Sequence, residues 1–160
     1  MVHELDAKKG VTLNKELITL NFNAKDREDA LRKMGAKLLK CGYVNKGFTE
    51  AIIEREKNFP TGISTKNMGV AIPHTDVKYV NKTSIAIGTL NKPVTFQNMG
   101  SDDKLQINII FMLAIKEPKE QLKMLQKLIE VFQDDNALGK IKNAKNELEV
   151  LEIMKSFLDN

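Results

Sequence analysis

Long apolar runs and cysteine pairs are both missing from this sequence. The longest apolar stretch, residues 107–115, is interrupted by Asn108 and is far shorter than the roughly 18 residues that a membrane-spanning helix needs. The single cysteine, Cys41, excludes an intrachain disulfide. Residues 1–6 have neither the basic start nor the apolar block of a signal peptide. We therefore expect a protein of the reducing cytoplasm that does not insert into a membrane.

The motifs of nucleotide, hydrolytic and metal enzymes are also absent. No Gly-x-Gly-x-x-Gly or Walker lysine motif offers a phosphate-binding loop, and no Gly-x-Ser-x-Gly elbow offers a nucleophilic serine. His74 has no second histidine or cysteine near it in the sequence, so the usual zinc ligands are lacking. The net charge is +4, with lysines spread among 21 acidic residues rather than gathered in a stripe. The sequence therefore predicts no metal, no cofactor and no nucleic-acid partner.

The length and apolar content indicate one domain. The chain has 160 residues, of which 42% are hydrophobic, enough for one substantial core but too few for two. We expect a single domain over residues 1–160. Apolar segments bounded by turn residues predict strands at residues 16–23, 70–72, 84–90, 94–96 and 105–115. The last strand is expected to be central and buried on both faces.

Apolar residues at spacings of three and four predict helices between and after these strands. The helices are expected over roughly residues 24–41, 48–57, 118–133 and 146–158, and residues 58–69 are expected to form a loop. Asn23 is the expected N-cap of the first helix, and Gly42 is its expected C-terminal stop. The expected buried face of the third helix consists of Leu122, Leu125, Ile129 and Phe132. Strands mixed with helices predict an α/β or α+β sandwich.

The chain has two histidines, and their settings differ. His3 lies in a polar terminal segment and is expected to be a solvated surface residue. His74 follows a short apolar strand that is stopped by Pro73, so it is expected where the chain leaves the sheet. Strand ends are where α/β folds place their functional sites. On context alone, His74 is either a functional group or a packed histidine that performs no chemistry.

If His74 is functional, the remaining chemistry is nucleophilic. A neutral imidazole nitrogen can attack phosphorus and hold the phosphoryl group as a reactive phosphoramidate. This requires an unprotonated, aimed nitrogen, a hydrogen bond that fixes the other ring nitrogen, and donors for the phosphoryl oxygens. The sequence therefore permits phosphoryl transfer without nucleotide or metal.

Three pieces of the chain resemble a known family. They are Glu54-Arg55-Glu56, Pro60-Thr61-Gly62 and residues 69–76 (GVAIPHTD). Together they look like the active-site block of the fructose and mannitol class of enzyme IIA of the bacterial phosphoenolpyruvate-dependent phosphotransferase system. The sequence of residues 59–62 (FPTG) is most similar to the galactitol type. The resemblance extends over most of the chain, although the specific part is residues 55–76. It implies an α/β single-domain sandwich with a mixed parallel/antiparallel sheet flanked by helices.

The resemblance also implies roles for individual residues. It makes His74 the phosphoacceptor and Arg55 the guanidinium that steadies the phosphoryl group, a role that its planar set of donors suits. Arg55 could otherwise be a solvated helix residue. Thr61 and Thr75 are candidate phosphate ligands. Gln121 stands where many members have a second active-site histidine; it is either a neutral phosphate donor or an ordinary residue of the first helical turn.

The partners follow from the same resemblance. The small phosphocarrier protein HPr is expected to phosphorylate His74, which then passes the group to a cognate enzyme IIB and through it to the membrane component IIC. The apolar residues Phe59, Ile63, Met68 and Val77 are expected either to form the docking rim or to belong to the core below the loop. The expected function is sugar or polyol uptake, with galactitol first. The alternative is a regulatory module whose phosphorylation controls binding to another protein.

Overall fold

A mixed β-sheet with helices on both faces forms the molecule. The structure is a computed structural model that describes residues 4–6 and 11–159. Its strands are β1 (Glu4–Asp6), β2 (Thr12–Asn14), β3 (Ile18–Phe22), β4 (Gly62–Ser64), β5 (Gly69–Ala71), β6 (Ser84–Gln97) and β7 (Lys104–Ala114). Its α-helices are α1 (Arg27–Lys40), α2 (Phe48–Asn58), α3 (Pro118–Phe132), α4 (Asp135–Lys142) and α5 (Glu147–Leu158). Short 3-10 helices occupy Lys15–Leu17 and Val77–Tyr79.

The strand pairing combines both directions. Within the described residues the order is β1-β2-β6-β7-β5-β4, and β3 also pairs with β6. The β6–β7 hairpin, β1–β2 and β4–β5 are antiparallel, whereas β2 and β3 run parallel to β6, and β5 runs parallel to β7. This confirms the predicted mixed parallel/antiparallel sheet flanked by helices.

Strand β7 lies in the middle of the sheet and has apolar side chains on both faces. Ile109, Phe111 and Leu113 join one hydrophobic cluster. The alternate residues Ile110, Met112 and Ala114 join the other. Successive side chains of a strand point to opposite faces, so a continuous apolar run suits a strand that is covered on both sides. The prediction of a central, doubly buried strand is confirmed.

The helices are divided between the two faces. Buried residues of α1 and α2 pack in the cluster that contains Ile110 and Met112. Buried residues of α3, α4 and α5 pack in the cluster that contains Ile109 and Phe111, where the rings of Phe111 and Phe132 lie 5.2 Å apart. Burying each large side chain contributes about 1.5–3 kcal/mol, so the two layers hold the central strands from both sides.

Helix α1 begins later than predicted. The Asp26 side chain accepts a hydrogen bond from the Asp29 backbone N–H at 2.8 Å, so Asp26 rather than Asn23 is the N-cap. Both residue types are good caps, and the sequence pattern did not decide between them. Gly42 follows the helix at φ 79°, a left-handed conformation that suits glycine, as predicted.

The first long strand is shorter and more irregular than its alternating pattern predicts. Residues Lys15–Leu17 form a 3-10 helix, and Leu17 is fully buried. A register shift occurs between Thr19 and Phe22, where Asn21 has φ 50°. This bulge sends Leu20 and Phe22 to clusters on opposite faces of the sheet, which the alternation cannot do.

The C-terminal helices also differ from expectation. The buried face of α3 is formed by Met124, Leu128, Val131 and Phe132. Two residues of the predicted face, Leu122 and Ile129, are instead 63% and 46% exposed. The sequence patterns do not predict helix α4. Residues 58–69, predicted as a loop, contain β4, and the segments 84–90 and 94–96 are parts of the single strand β6.

Candidate active site

His74 lies just beyond the end of β5, on a segment that is held from two sides. The Ile72 backbone N–H donates to the Thr61 carbonyl at 3.3 Å, which extends the β4–β5 pairing by one bond. The Leu113 N–H donates to the Pro73 carbonyl at 2.9 Å. These bonds fix the backbone immediately before the histidine. The imidazole itself is half-buried.

The tautomer of His74 is set by its own backbone segment. Nδ1 lies 2.8 Å from the Ile72 carbonyl oxygen. A carbonyl can only accept, so Nδ1 carries the hydrogen and donates it. In the neutral ring the lone pair is then on Nε2. The geometry therefore leaves Nε2 as the ring nitrogen with an available lone pair.

The surroundings also keep the ring uncharged. Burial lowers the pKa of His74 below its ordinary value of 6.5. The hydrogen bond to Ile72 acts against this shift, and the positive charge of Arg55 adds to it. At neutral pH His74 is therefore a neutral imidazole, which is the form that can attack phosphorus.

Arg55 lies in the last turn of α2 and shares two clefts with His74. Its guanidinium carbon is 4.9 Å from the centroid of the Phe59 ring. This cation–π contact holds the side chain without consuming its hydrogen-bond donors. One cleft, of about 360 Å³, also includes Phe59 and Met99; the other, of about 260 Å³, also includes Gln121. The two residues predicted to act on phosphate are thus brought together.

Thr75 and Gln121 lie beside this pair. Thr75 is 8% exposed and lines the smaller cleft. Gln121 occupies the first turn of α3 and lines the same cleft, so a residue from a distant part of the sequence shares a cleft with the histidine. Their positions are compatible with contact to a bound phosphoryl group.

Thr61 has a different environment. It lines the larger cleft, but it is only 3% exposed. Its N–H donates to Glu56 Oε2 at 2.7 Å, and its hydroxyl donates to Glu56 Oε1 at 2.8 Å. Both donors are therefore already used. This geometry gives no support to the predicted role of Thr61 as a phosphate ligand.

Glu56 belongs to the Glu54-Arg55-Glu56 motif, but the sequence alone assigns it no role. It is 1% exposed and is held by both donors of Thr61. Burial raises its pKa to about 7, although the Thr61 bonds and the charge of Arg27 act in the opposite direction. A signal was present in the sequence, because Phe48, Ile52 and Glu56 share a spacing of four and hence one helix face.

The rim of the clefts is only partly the predicted one. Phe59 is 61% exposed, and Val77 lines the smaller cleft. Ile63 and Met68 pack against the core cluster instead. The β6–β7 turn contributes Met99, which is 45% exposed and whose N–H donates to the Gly62 carbonyl at 2.7 Å. A turn bound to the sheet in this way cannot be read from local sequence.

The described part of the chain provides two further observations. None of its helices has the length and apolar content that a bilayer crossing needs. In the same residues, no cluster of three or more histidine, cysteine, aspartate or glutamate side chains is arranged to hold a metal ion. His3 lies outside the described residues.

Similar proteins give the site its context. The galactitol-specific EIIA component of Escherichia coli is 31% identical over 108 residues, covering 68% of this chain and 72% of that protein. The mannitol-specific EIICBA component of Vibrio cholerae is 34% identical over 146 residues, which cover 89% of this chain and 21% of that protein.

A solved structure has the same fold. It is the complex of mannitol enzyme IIA with phosphorylated mannitol enzyme IIB from Escherichia coli. The fold of this chain matches it with a TM-score of 0.76 at 25% sequence identity. The match covers 90% of this chain and 97% of that chain. The family model described as "Phosphoenolpyruvate-dependent sugar phosphotransferase system, EIIA 2" matches residues 12–157. The chain therefore belongs to this EIIA 2 family, whose domains are phosphotransferases that work through a phosphohistidine intermediate.

Proposed function

We propose that this protein is the phosphocarrier of a polyol uptake system, in which phospho-HPr phosphorylates His74 and His74 then phosphorylates a cognate enzyme IIB. The observation that supports this most directly is the bond from His74 Nδ1 to the Ile72 carbonyl, in a cleft shared with Arg55. The proposal includes a cytoplasmic location and a single domain over residues 1–160.

The chemistry follows from the neutral ring. The Nε2 lone pair forms a bond to phosphorus while the bond between phosphorus and the donor's imidazole nitrogen breaks. The electron pair of the breaking bond stays with the donor, so His74 need not lose a proton first. Transfer to the IIB nucleophile is the same exchange in reverse, with His74 as the leaving group.

Arg55 is the residue proposed to stabilise the transferring group. The three phosphoryl oxygens carry negative charge throughout transfer, and a guanidinium offers several donors in one plane. Stacking on Phe59 orients that plane before the partner arrives, so little reorganisation is needed during the reaction. Thr75 and Gln121, which line the smaller cleft together with His74, are proposed as neutral donors.

The surface around the clefts fits transient protein partners. Phe59, Met99 and Leu122 are large apolar side chains with 61%, 45% and 63% exposure. Phe59 and Met99 line the larger cleft, and Leu122 follows Gln121 of the smaller one. Exposed apolar groups near a reactive centre are typical of protein contact surfaces. HPr and IIB would use this rim in turn, and IIC would receive the group through IIB.

The polyol is proposed to be galactitol. The support is the galactitol-specific relative, which is 31% identical over 108 residues, together with the sequence Phe59-Pro60-Thr61-Gly62. The sugar is chosen largely by the membrane component, but the cognate IIB is the partner to which this protein would pass the group, so the choice of IIB is the test.

The experiment starts with labelled phosphoenolpyruvate, enzyme I and HPr. We expect one acid-labile phosphoryl group per chain, and no labelling of His74→Ala. His3→Ala is the matched control because it removes the other histidine of the chain and should be labelled normally. Continued labelling of His74→Ala would refute the phosphoacceptor assignment.

The second step offers the labelled protein to purified IIB proteins for galactitol, mannitol and fructose. We expect the fastest loss of label with the galactitol IIB. Faster transfer to another IIB would refute the galactitol assignment alone. Label that passes to none of them would refute the transport role and favour the regulatory alternative.

A further inference from the structure

Glu56 is buried and has no direct salt bridge to any described residue. It lies in the third turn of α2, one residue after Arg55, and is 1% exposed. None of the ion pairs within the described residues includes it, and its side chain is instead bonded to the two donors of Thr61. A buried carboxylate without a direct salt bridge is unfavourable compared with an apolar side chain of similar size, and the more distant charge of Arg27 offsets only part of this cost. Its contacts therefore need an explanation other than stability.

A continuous chain of hydrogen bonds runs from this carboxylate to the reactive imidazole. Glu56 accepts the N–H and hydroxyl of Thr61 at 2.7 and 2.8 Å. The Thr61 carbonyl accepts the Ile72 N–H at 3.3 Å. The Ile72 carbonyl accepts Nδ1–H of His74 at 2.8 Å. Each link fixes the orientation of the next peptide unit.

The first link, between Glu56 and Thr61, supports the chain just outside the sheet ladder. The β4–β5 pairing begins at Gly62 and Ala71, so Thr61 and Ile72 lie one step beyond it. The turn between α2 and β4 spans only Phe59, Pro60 and Thr61. Without the carboxylate, Thr61 would lose the contacts of its side chain and of its N–H in this turn. The bond from the Ile72 N–H to the Thr61 carbonyl would then lose the support of this turn.

We propose that Glu56 is a positioning residue for phosphoryl transfer: by holding Thr61, it fixes the Ile72 carbonyl that keeps the hydrogen of His74 on Nδ1 and the lone pair on Nε2. The proposal rests on the proposed function of His74. It also assigns Thr61 a role as a link between Glu56 and the backbone, in place of direct contact with phosphate.

The proposal requires hydrogen bonding between residue 56 and Thr61 rather than the negative charge of Glu56. Gln can accept the Thr61 N–H with its carbonyl oxygen and donate to the Thr61 hydroxyl with its amide. Ala can do neither. Glu56→Gln should therefore preserve the site, whereas Glu56→Ala should loosen it. Thr61→Val keeps the N–H and removes only the hydroxyl, so it should have an intermediate effect.

The first measurement is the ring nitrogen spectrum of His74. With two histidines in the chain, ¹⁵N-labelled imidazole signals can be assigned using His3→Ala and His74→Ala. We expect the Nδ1–H tautomer in the wild type and in Glu56→Gln, and a mixture of tautomers in Glu56→Ala. This readout needs no partner protein, so it tests the positioning role even if HPr fails to phosphorylate the chain.

The second measurement is the rate of phosphorylation by phosphoenolpyruvate, enzyme I and HPr. We expect Glu56→Gln to stay within about twofold of the wild type and Glu56→Ala to be slower by about tenfold or more, because small displacements of a reacting group cost on the order of 10- to 100-fold. The matched control is Glu50→Gln, on the same helix but solvent-exposed and paired with Arg32. If Glu56→Ala does not fold, Thr61→Val gives the decisive comparison.

Two results would overturn the proposal. One is a folded Glu56→Ala, or Thr61→Val, that has the wild-type tautomer and the wild-type rate. The other is a Glu56→Gln that is as slow as Glu56→Ala, which would assign the effect to charge. A wild type that is never phosphorylated would count against the proposed function instead, and the tautomer comparison would still decide the role of Glu56.

Discussion

Replacing Glu56 by Gln is expected to change how the stability of this protein depends on pH. Burial raises the pKa of Glu56 in the folded chain to about 7, compared with an ordinary value of 4.5. Below about pH 4.5 the carboxyl is protonated in both states. As the pH rises from there, the unfolded chain releases the proton first, so ionisation favours unfolding until the folded group also ionises near pH 7.

The size of the effect follows from the gap between the two pKa values. A gap of about 2.5 pH units corresponds to about 3.5 kcal/mol, at roughly 1.4 kcal/mol per unit, and about 3 kcal/mol of this is expressed between about pH 4 and about pH 8. A glutamine side chain at this position has no titrating proton and would not show this loss. The free energy of unfolding of Glu56→Gln, relative to the wild type, should therefore rise by about 3 kcal/mol between about pH 4 and about pH 8.

Urea unfolding followed by circular dichroism, at several pH values in this range, measures the difference. His74 has a lowered pKa, so it adds stability that is present above pH 6.5 and is lost at lower pH; this is common to both proteins and cancels. The control Glu50→Gln should show no such rise, because the hydrogen bond from Arg32 lowers the pKa of Glu50 and its titration then affects stability only below about pH 4.5. A difference between Glu56→Gln and the wild type that stays constant with pH would refute the reasoning.

Two further predictions compare matched positions. Arg55→Ala should slow HPr-dependent labelling by about 100-fold, because the charge that stabilises the transferring group is lost. The control Arg32→Ala, on the surface of α1, should be labelled at the wild-type rate. Equal rates for the two variants would contradict the role of Arg55. Phe132→Ala should lower the free energy of unfolding by about 3–5 kcal/mol, because Phe132 is only 5% exposed. Leu122→Ala should change it by less than about 1 kcal/mol, because Leu122 is 63% exposed. Urea unfolding that ranks the two variants the other way would contradict the packing described.

The central strand and the helix that carries Arg55 could be predicted because their signals are local. Residues 105–115 are apolar at nearly all consecutive positions, which is typical of a strand covered on both faces. Helix α2 has Gly47 at its start and Pro60 shortly after its end, so its predicted bounds are nearly correct. In both segments one pattern dominates, and the tertiary structure agrees with it.

The buried face of α3 could not be predicted, because two apolar stripes overlap on one helix. Leu122, Leu125 and Ile129 form one, and Met124, Leu128 and Val131 form the other. The stripes have similar spacing, and only contact with the sheet selects the second. Helix α4 is not predicted because its eight residues are too few for clear periodicity. Its cap, Asp134, accepts a hydrogen bond from the Ala137 N–H, but one cap residue does not identify a helix.

The site was predictable only as far as the family block extends. That block includes both His74 and Arg55, but it suggested Thr61 as a phosphate ligand. The structure places the Thr61 donors on Glu56, which the block presents only as one of three charged residues near a helix end. The bond from Nδ1 to the Ile72 carbonyl depends on the backbone path after β5, and no residue pattern specifies such a path.

The most direct test of the account is to identify the ring nitrogen that carries the phosphoryl group. The protein would be phosphorylated through HPr with ¹⁵N-labelled histidine and studied by ³¹P and ¹⁵N magnetic resonance. Because Nδ1 is occupied by its bond to Ile72, the account predicts a phosphorus–nitrogen bond at Nε2 of His74. A phosphoryl group at Nδ1 of His74, or on any other residue, would contradict it.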